Sequence, residues 1–387
     1  RAKPPEDDAN VYTPVAFYSE DTHYSFTKAA RVVGMSTFYE LGSAEYQGQC
    51  PLRGSAGVWP TEVPSLGGTG GPGEIDVDAL AVLVEFFAER HHPVFISLNC
   101  GTTFKGAYDP VETVIERIVP IMKTHQMFER KVEYAPGQYD VRHGFWIHVD
   151  GALGAAYLPF LKMAQEKGRF PSDPPVPVFD FRLPYVFSIA MSGHKWIGAP
   201  WPCGVFLTKV RYQLRPPSLP IYVGSPDTTF AGSRNGFSPM VLWDYLAKHS
   251  YEDQMTSACK AQELAAYTET ALRELSSKIE KDLYVARTPL ALTVRFRMPK
   301  PEYVTKYSLS TEQFDGDPRM FAHVFLMPGV TTEMIDELIA DLSTPGAFDA
   351  AATAGAASGG ARRPPLGDTA GDVTPVAHVP VAGRGFH

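Results

Sequence analysis

An α/β domain with a largely parallel sheet, followed by a smaller α+β domain, is the architecture this sequence predicts. Three observations predict it. Short, continuous apolar runs alternate with helical patterns through the first two-thirds of the chain. Polar, reactive-looking residues fall just after four of those runs. Around residue 240 the character changes to long helices and then to alternating strands. We therefore expect a large domain over 1–240, a small one over 241–348 and a low-complexity tail over 349–387.

The elements follow in order. Val15-Ala16-Phe17-Tyr18 reads as a short strand, and the helical pattern from Tyr24 to Val33 stops at Gly34, a natural residue just past a helix end. The Gly/Pro-rich stretch from Pro51 to Gly73 reads as a long surface loop. Val94 to Leu98 is a buried strand, after which Asp109 and Pro110 are placed to cap and open a helix with Val111, Val114, Ile115 and Ile118 on its apolar face. Phe145–Val149, Val186–Met191 and Gly204–Thr208 are further strands. Helices follow over Phe237–Tyr251 and Glu263–Ile279. Ala291–Phe296 and Ala322–Leu326 alternate as half-exposed strands, and Met334–Leu342 closes as a helix. From Asp349 onward Ala, Gly, Pro and Ser dominate, too little apolar area to offset the entropy of ordering.

The bulk numbers set the frame. A chain of 387 residues can bury a substantial core, and 44% hydrophobic with 20% charged residues describes an ordinary globular protein. A net charge of −8 without a basic block argues against a nucleic-acid binder, and no apolar run reaches the roughly 20 residues that span a bilayer. The cysteines Cys50, Cys100, Cys203 and Cys259 show no metal-type spacing, so we expect free thiols, a cytoplasmic protein and no metal. The chain opens abruptly on Arg1, and Arg1 to Asp8 reads as a helix end and a polar loop, so we expect sequence upstream of it.

The chemistry concentrates at the predicted strand ends. Lys195, in Ser192-Gly193-His194-Lys195-Trp196, follows a buried strand, where its ammonium loses hydration. A neutral amine is what Schiff-base chemistry needs, although strand-end lysines without chemistry are common. Asp150 follows another apolar strand. It suits a helix N-cap or, equally, an anion that binds a protonated heteroaromatic nitrogen. The Ser-Gly-His-Lys turn 45 residues later favours the second reading. His23 fits a capping loop, His194 a buried hydrogen-bonding residue or, with Ser192, a phosphate ligand, and Thr102 with Thr103 a plain turn. In open α/β sheets the ligand crevice lies beyond the carboxyl ends of the strands, which is where all of these converge.

In combination these residues resemble a family. Ser19-x-x-x-His23-Tyr24-Ser25, Gly101-Thr102-Thr103, His148-Val149-Asp150-x-Ala152 and Ser192-Gly193-His194-Lys195 occur in the order seen in group II pyridoxal-phosphate amino-acid decarboxylases, which have the fold-type-I, aspartate-aminotransferase-like fold. Pro202-Cys203-Gly204, Thr228 to Gly236 and Lys306 to Thr311 look like the bacterial histidine, valine and methionine decarboxylase branch. The likeness runs from about Val11 to Phe348. It implies pyridoxal 5'-phosphate as cofactor, with Lys195 carrying it as a Schiff base, Asp150 on the pyridine nitrogen, His23 and Ala152 on the two ring faces, Ser192 and His194 on the phosphate and Thr102 near cofactor or substrate carboxylate. It further implies Tyr222 as the proton donor to the substrate α-carbon and Ser233, with Arg234, reaching a site across a homodimer. Gly151 departs from the family's usual alanine, and the family's upstream phosphate-binding Ser/Thr-Gly loop would precede this chain's first residue.

The expected activity is decarboxylation of an L-amino acid. Apolar side chains near the motifs (Phe104, Trp196, Trp201) point to methionine or a branched aliphatic substrate, with histidine as the alternative. Aldehyde formation or transamination on the same scaffold, and a non-catalytic descendant, are the rival outcomes; the presence of Tyr222 argues against the first pair, and Lys195 with Asp150 against the last.

Overall fold

A computed structural model describes residues 8–212, 221–222, 232–314 and 317–349. The expected tail over 349–387 lies outside them apart from Asp349, as do Thr228 to Ala231 of the Thr228–Gly236 motif. In chain order the elements are β1 (Val15–Phe17), α1 (Ser25–Val33), β2 (Ser36–Thr37), α2 (Phe38–Glu45), α3 (Val77–Ala88), β3 (Val94–Asn99), α4 (Val111–Thr124), β4 (Arg130–Ala135), β5 (Gln138–Arg142), β6 (Phe145–Asp150), α5 (Gly154–Glu166), β7 (Val186–Ser192) and β8 (Gly204–Thr208). There follow α6 (Phe237–Lys248), α7 (Tyr251–Lys278), β9 (Thr293–Arg297), α8 (Pro301–Lys306), β10 (Ser310–Glu312), β11 (Phe321–Phe325) and α9 (Thr332–Leu342).

Six strands form the main sheet in the order β2-β1-β3-β6-β7-β8. All neighbours are parallel except β7 and β8, which run antiparallel. Parallel pairing forces helical crossovers, and α3, α4 and α5 supply apolar faces that pack into one core with Phe17, Ile96, Ile147 and Ile189. The small sheet, β10-β11-β9, is antiparallel and packs with α7 and α9 in a second core. Helix α7 runs from one core to the other: Ala258 and Ala261 belong to the first, Ala265, Leu272 and Leu275 to the second. It starts at a capping box in which Ser250 and Asp253 satisfy each other's backbone N–H.

Three expectations need correcting. Asp109 does not cap α4: Pro110 stands at the cap position, and Asp109 is buried, its carboxylate accepting backbone N–H bonds from Ile75 and Asn99. The stretch from Pro51 to Gly73 is not only a surface loop, because Trp59 and Val63 enter the core and Trp59 Nε1 donates to the Tyr46 carbonyl at 2.9 Å. Strands β9 and β11 are buried over four of their five residues rather than half-exposed, since the second core covers one face and the loop around Phe104 and Gly106 covers the other. Periodicity reports the outward face only when water is what lies there. As expected, α1 ends at Gly34, whose backbone is left-handed with φ 68°. Among the described residues no helix is long and apolar enough to cross a membrane, and no group of three or more His, Cys, Asp or Glu side chains could hold a metal ion.

Candidate active site

The register of the main sheet aligns the functional strand ends. Asn99 at the end of β3 pairs with Asp150 at the end of β6, and Asp150 pairs with Ala190 on β7, two residues before the turn that carries Lys195. The chain leaving β1 brings His23 to the same rim. His23, Asp150 and Lys195 lie close enough to bias one another's charge: Lys195 depresses the His23 imidazole, and Asp150 supports both cations. Burial pushes the Lys195 amine below its ordinary range, against the pull of Asp150, and burial, with Lys195 second, pushes His23 down as well.

Each side chain is held by its own local frame. Asp150 Oδ1 accepts the Ala152 N–H at 3.0 Å, while helix α5 starts only at Gly154, so Asp150 closes a turn and does not cap the helix. The Ala152 carbonyl accepts the Ser192 N–H at 3.0 Å, which ties the Asp150 turn to the lysine turn. Gly151 is required between them: a methyl at that position would lie 2.5 Å from the Ala155 side chain and 3.1 Å from the Ala190 carbonyl. The departure from alanine at 151 thus has a packing cause in Ala155. The lysine turn is pinned further by Gly193 N–H on the Cys203 carbonyl at 2.7 Å. His194 Nδ1 accepts the Cys203 N–H at 3.0 Å, so that nitrogen carries a lone pair and Nε2 carries the proton of the neutral ring. His194 is exposed and Ser192 half-buried.

His23 Nδ1 accepts the Ser25 N–H at 3.3 Å and lies 2.7 Å from the Ser25 hydroxyl. Behind it stands a buried network that sequence reasoning missed. Asn99 Nδ2 donates to Thr22 Oγ1 (3.0 Å), Ser19 Oγ (3.2 Å) and Asp109 Oδ2 (2.9 Å). Asp21 Oδ2 accepts from Ser65 Oγ at 2.7 Å and from Lys105 Nζ at 3.1 Å in an ion pair that is 2% and 6% exposed. Burial pushes the Asp109 carboxyl up to about 7 against the pull of the Asn99 and Ile75 N–H groups. The available signal was Lys105 between Phe104 and Gly106-Ala107-Tyr108, a charge in an apolar setting that calls for a buried anion.

Not every expected residue joins the cluster. The Thr102 hydroxyl accepts the Ala107 N–H at 2.9 Å and closes its own turn, while Thr103 is exposed. Tyr222 is 92% exposed and Ser233 is also exposed. Trp196 is a core residue, 2% exposed against Tyr157, and Phe104 stacks on His323 at 4.3 Å; these two do not line an open apolar pocket. Trp201 is exposed beside Phe237.

The residues present fit a pyridoxal ring: a desolvated amine, a carboxylate fixed beside it and an imidazole share one rim. For a phosphate the described residues offer the Ser192 hydroxyl and the His194 Nε2–H.

Comparison with known proteins gives the same direction. A family model for the pyridoxal-dependent decarboxylase conserved domain matches residues 70–280. The histidine decarboxylase of Solanum lycopersicum is 29% identical over 327 residues, covering 84% of this chain and 62% of that protein. Serine decarboxylase 1 of Oryza sativa subsp. japonica is 30% identical over 330 residues, covering 85% of this chain but 54% of that one. The chain therefore spans less than two-thirds of the length of these two relatives. Among solved structures, the L-methionine decarboxylase of Streptomyces sp. 590 superposes with a TM-score of 0.82 at 52% identity, over 88% of this chain and 72% of that one. The sphingosine-1-phosphate lyase of Burkholderia pseudomallei, at 19% identity and a TM-score of 0.56 over 89% of this chain and 66% of that one, shares the fold.

Proposed function

The chain belongs to the pyridoxal-dependent decarboxylase family, with pyridoxal 5'-phosphate as its cofactor, and from that premise we propose that it removes the α-carboxylate of an L-amino acid, methionine by preference. The observation that carries the reading is the convergence of Lys195, Asp150 and His23 on one rim of the parallel sheet. The 52% identity to an L-methionine decarboxylase supports the substrate, against 29% for the histidine decarboxylase named above.

In this reading residues 1–240 form the cofactor-binding domain and 241–348 the smaller C-terminal domain. The cofactor supplies an electron sink for the pair left behind by CO2. Lys195, whose amine burial pushes below its ordinary range, would be the point of attachment for the cofactor. Asp150, anchored through Oδ1, would hold the ring nitrogen. His23, pushed down by burial and then by Lys195, and Ala152 would cover the ring faces and exclude water. Ser192 and His194 would donate to the phosphate, and Thr102 closes the turn that runs to Ala107. Tyr222 returns a proton to the substrate α-carbon, and Ser233 assists, both from the partner of a homodimer. Two observations support the dimer. Tyr222 and Ser233 are exposed, and Trp201, Phe206, Met240 and Trp243 each leave apolar area exposed. Four unpaired thiols support a cytoplasmic location.

The test is to supply pyridoxal phosphate and a panel of L-amino acids, and to assay CO2 and amine against aldehyde and ammonia. Methionine should give the amine fastest. Aldehyde and ammonia in place of amine, or a Lys195→Ala protein that keeps both the bound cofactor's absorbance band and turnover, would overturn the proposal.

A further inference from the structure

Strand β6 alternates cleanly: Phe145, Ile147 and Val149 are buried on one face, whereas Trp146, His148 and Asp150 share the other and are half-buried. His148 therefore stands two residues behind Asp150 on the same face, with Ser97 of β3 and Ser188 of β7 in register beside it. Trp146 Nε1 donates to Ser188 Oγ at 2.8 Å, and the same oxygen lies 2.8 Å from His148 Nδ1. An indole N–H can only donate, so the Ser188 oxygen receives it. Ser188 is 1% exposed, which denies its own proton to solvent, and among the described residues Nδ1 is the acceptor within reach. The hydroxyl then donates to Nδ1. That nitrogen holds the lone pair, and the ring's proton sits on Nε2.

This matters because of what a second cation would do here. A protonated imidazole on this face would attract the Asp150 carboxylate and compete with the cofactor's pyridine nitrogen for it. A neutral one leaves the charge available. We propose that Trp146, Ser188 and His148 form a positioning relay that locks the imidazole as the neutral Nε2–H tautomer and so reserves the Asp150 charge for the cofactor's ring nitrogen. The inference rests on the role given to Asp150 above. The surroundings agree with it. Phe95 of β3 and Phe206 of β8 flank the ring at 6.1 and 6.4 Å, and Ser97 and Ser188 are its in-register neighbours, none of them titratable in the working range. Asp150, on the same strand, is the charged group acting on the ring, with Lys195 and His23 around Asp150 in turn. Burial pushes the imidazole down, opposed by Asp150.

The experiment reads the tautomer first and the cofactor second. Nitrogen-15 shifts of His148 in the protein prepared free of cofactor should show an unprotonated Nδ1 and a protonated Nε2 at neutral pH, unchanged down to pH 6. In Ser188→Ala the ring should titrate in that range. Its affinity for pyridoxal phosphate, followed by absorbance between pH 7.5 and 6.0, should fall about fivefold or more beyond any fall in the parent protein. Ser188→Thr, which keeps the hydroxyl, should restore the parent behaviour. A cationic or Nδ1-protonated His148 in the parent, or a Ser188→Ala protein with the parent's pH dependence, overturns the relay. Asp150→Asn separates the two claims. If that variant holds the cofactor as tightly as the parent, the role of Asp150 itself fails. If it loses affinity while Ser188→Ala shows no added pH dependence, only the relay fails.

Discussion

Two lysines stand at the rim of the main sheet, and they are held in opposite ways. Lys105 is 2% exposed and clamped: Asp21 lies 3.1 Å from its Nζ, the Gly68 carbonyl 3.3 Å, and the Phe314 ring faces it at 4.7 Å. Lys195 is half-buried, and among the described residues no carboxylate comes within ion-pair distance of it; Asp150 acts on it only through space. Burial alone therefore does not make a lysine reactive. A buried amine with a contact anion is a cross-link, here between the His23 loop, the Gly67–Gly73 loop and the Thr102–Tyr108 turn. A desolvated amine without one can serve as a nucleophile.

Exchanging either lysine for an isosteric apolar residue should separate the two roles most sharply. Lys105→Met strands Asp21 in the interior and should cost about 3–5 kcal/mol of stability, whereas Lys195→Met should leave stability essentially unchanged and abolish cofactor attachment. Urea unfolding of the two variants checks this. A Lys105→Met/Asp21→Asn double variant should recover much of the loss, because no unpaired charge remains. Equal destabilisation by both lysine variants would erase the contrast.

The clamped side also carries His323, 2% exposed, with Nδ1 at 3.1 Å from the Phe104 carbonyl, and burial pushes it down to about 4. Its folded value lies below the ordinary 6.5 of the unfolded chain, so the unfolded state binds the proton first as pH falls. Stability contributed by the neutral ring is complete above about 6.5 and is lost progressively toward pH 4, up to about 3 kcal/mol. Replacing His323 with Gln should flatten that acid limb in a pH series of melting curves; an unchanged limb would move its origin elsewhere. The smallest effect belongs to the reactive side. Gly151→Ala should cost about 1–2 kcal/mol through the Ala155 contact, and adding Ala155→Gly should return most of it. If the single variant is neutral, the Asp150 turn is softer than its hydrogen bonds imply.

Much of this was legible beforehand, for a physical reason. Main-sheet strands such as Val94–Leu98 and Gly204–Thr208 are short apolar runs bounded by turn residues, and a residue after a strand end has only one rim to occupy. Lys195, Asp150 and His23 could thus be placed together from the sequence. What stayed hidden depended on long-range pairing. Nothing near Lys105 in the sequence announces Asp21, 84 residues away, and Asp109 followed by Pro110 looks like a helix cap until Ile75 and Asn99 claim its carboxylate. Tyr222 and Ser233 were named from a resemblance, because no local pattern marks them out.

Helix α7 gives the last consequence. It is 28 residues long, shares its side chains between both hydrophobic cores, and sends Gln262 to the Leu290 carbonyl at 2.7 Å, where the Tyr108 and Tyr157 hydroxyls also donate. A beam bolted at both ends transmits loss of either end to the other. The two cores then melt as one cooperative unit, so damage to the small sheet reaches the lysine rim without touching a single residue there.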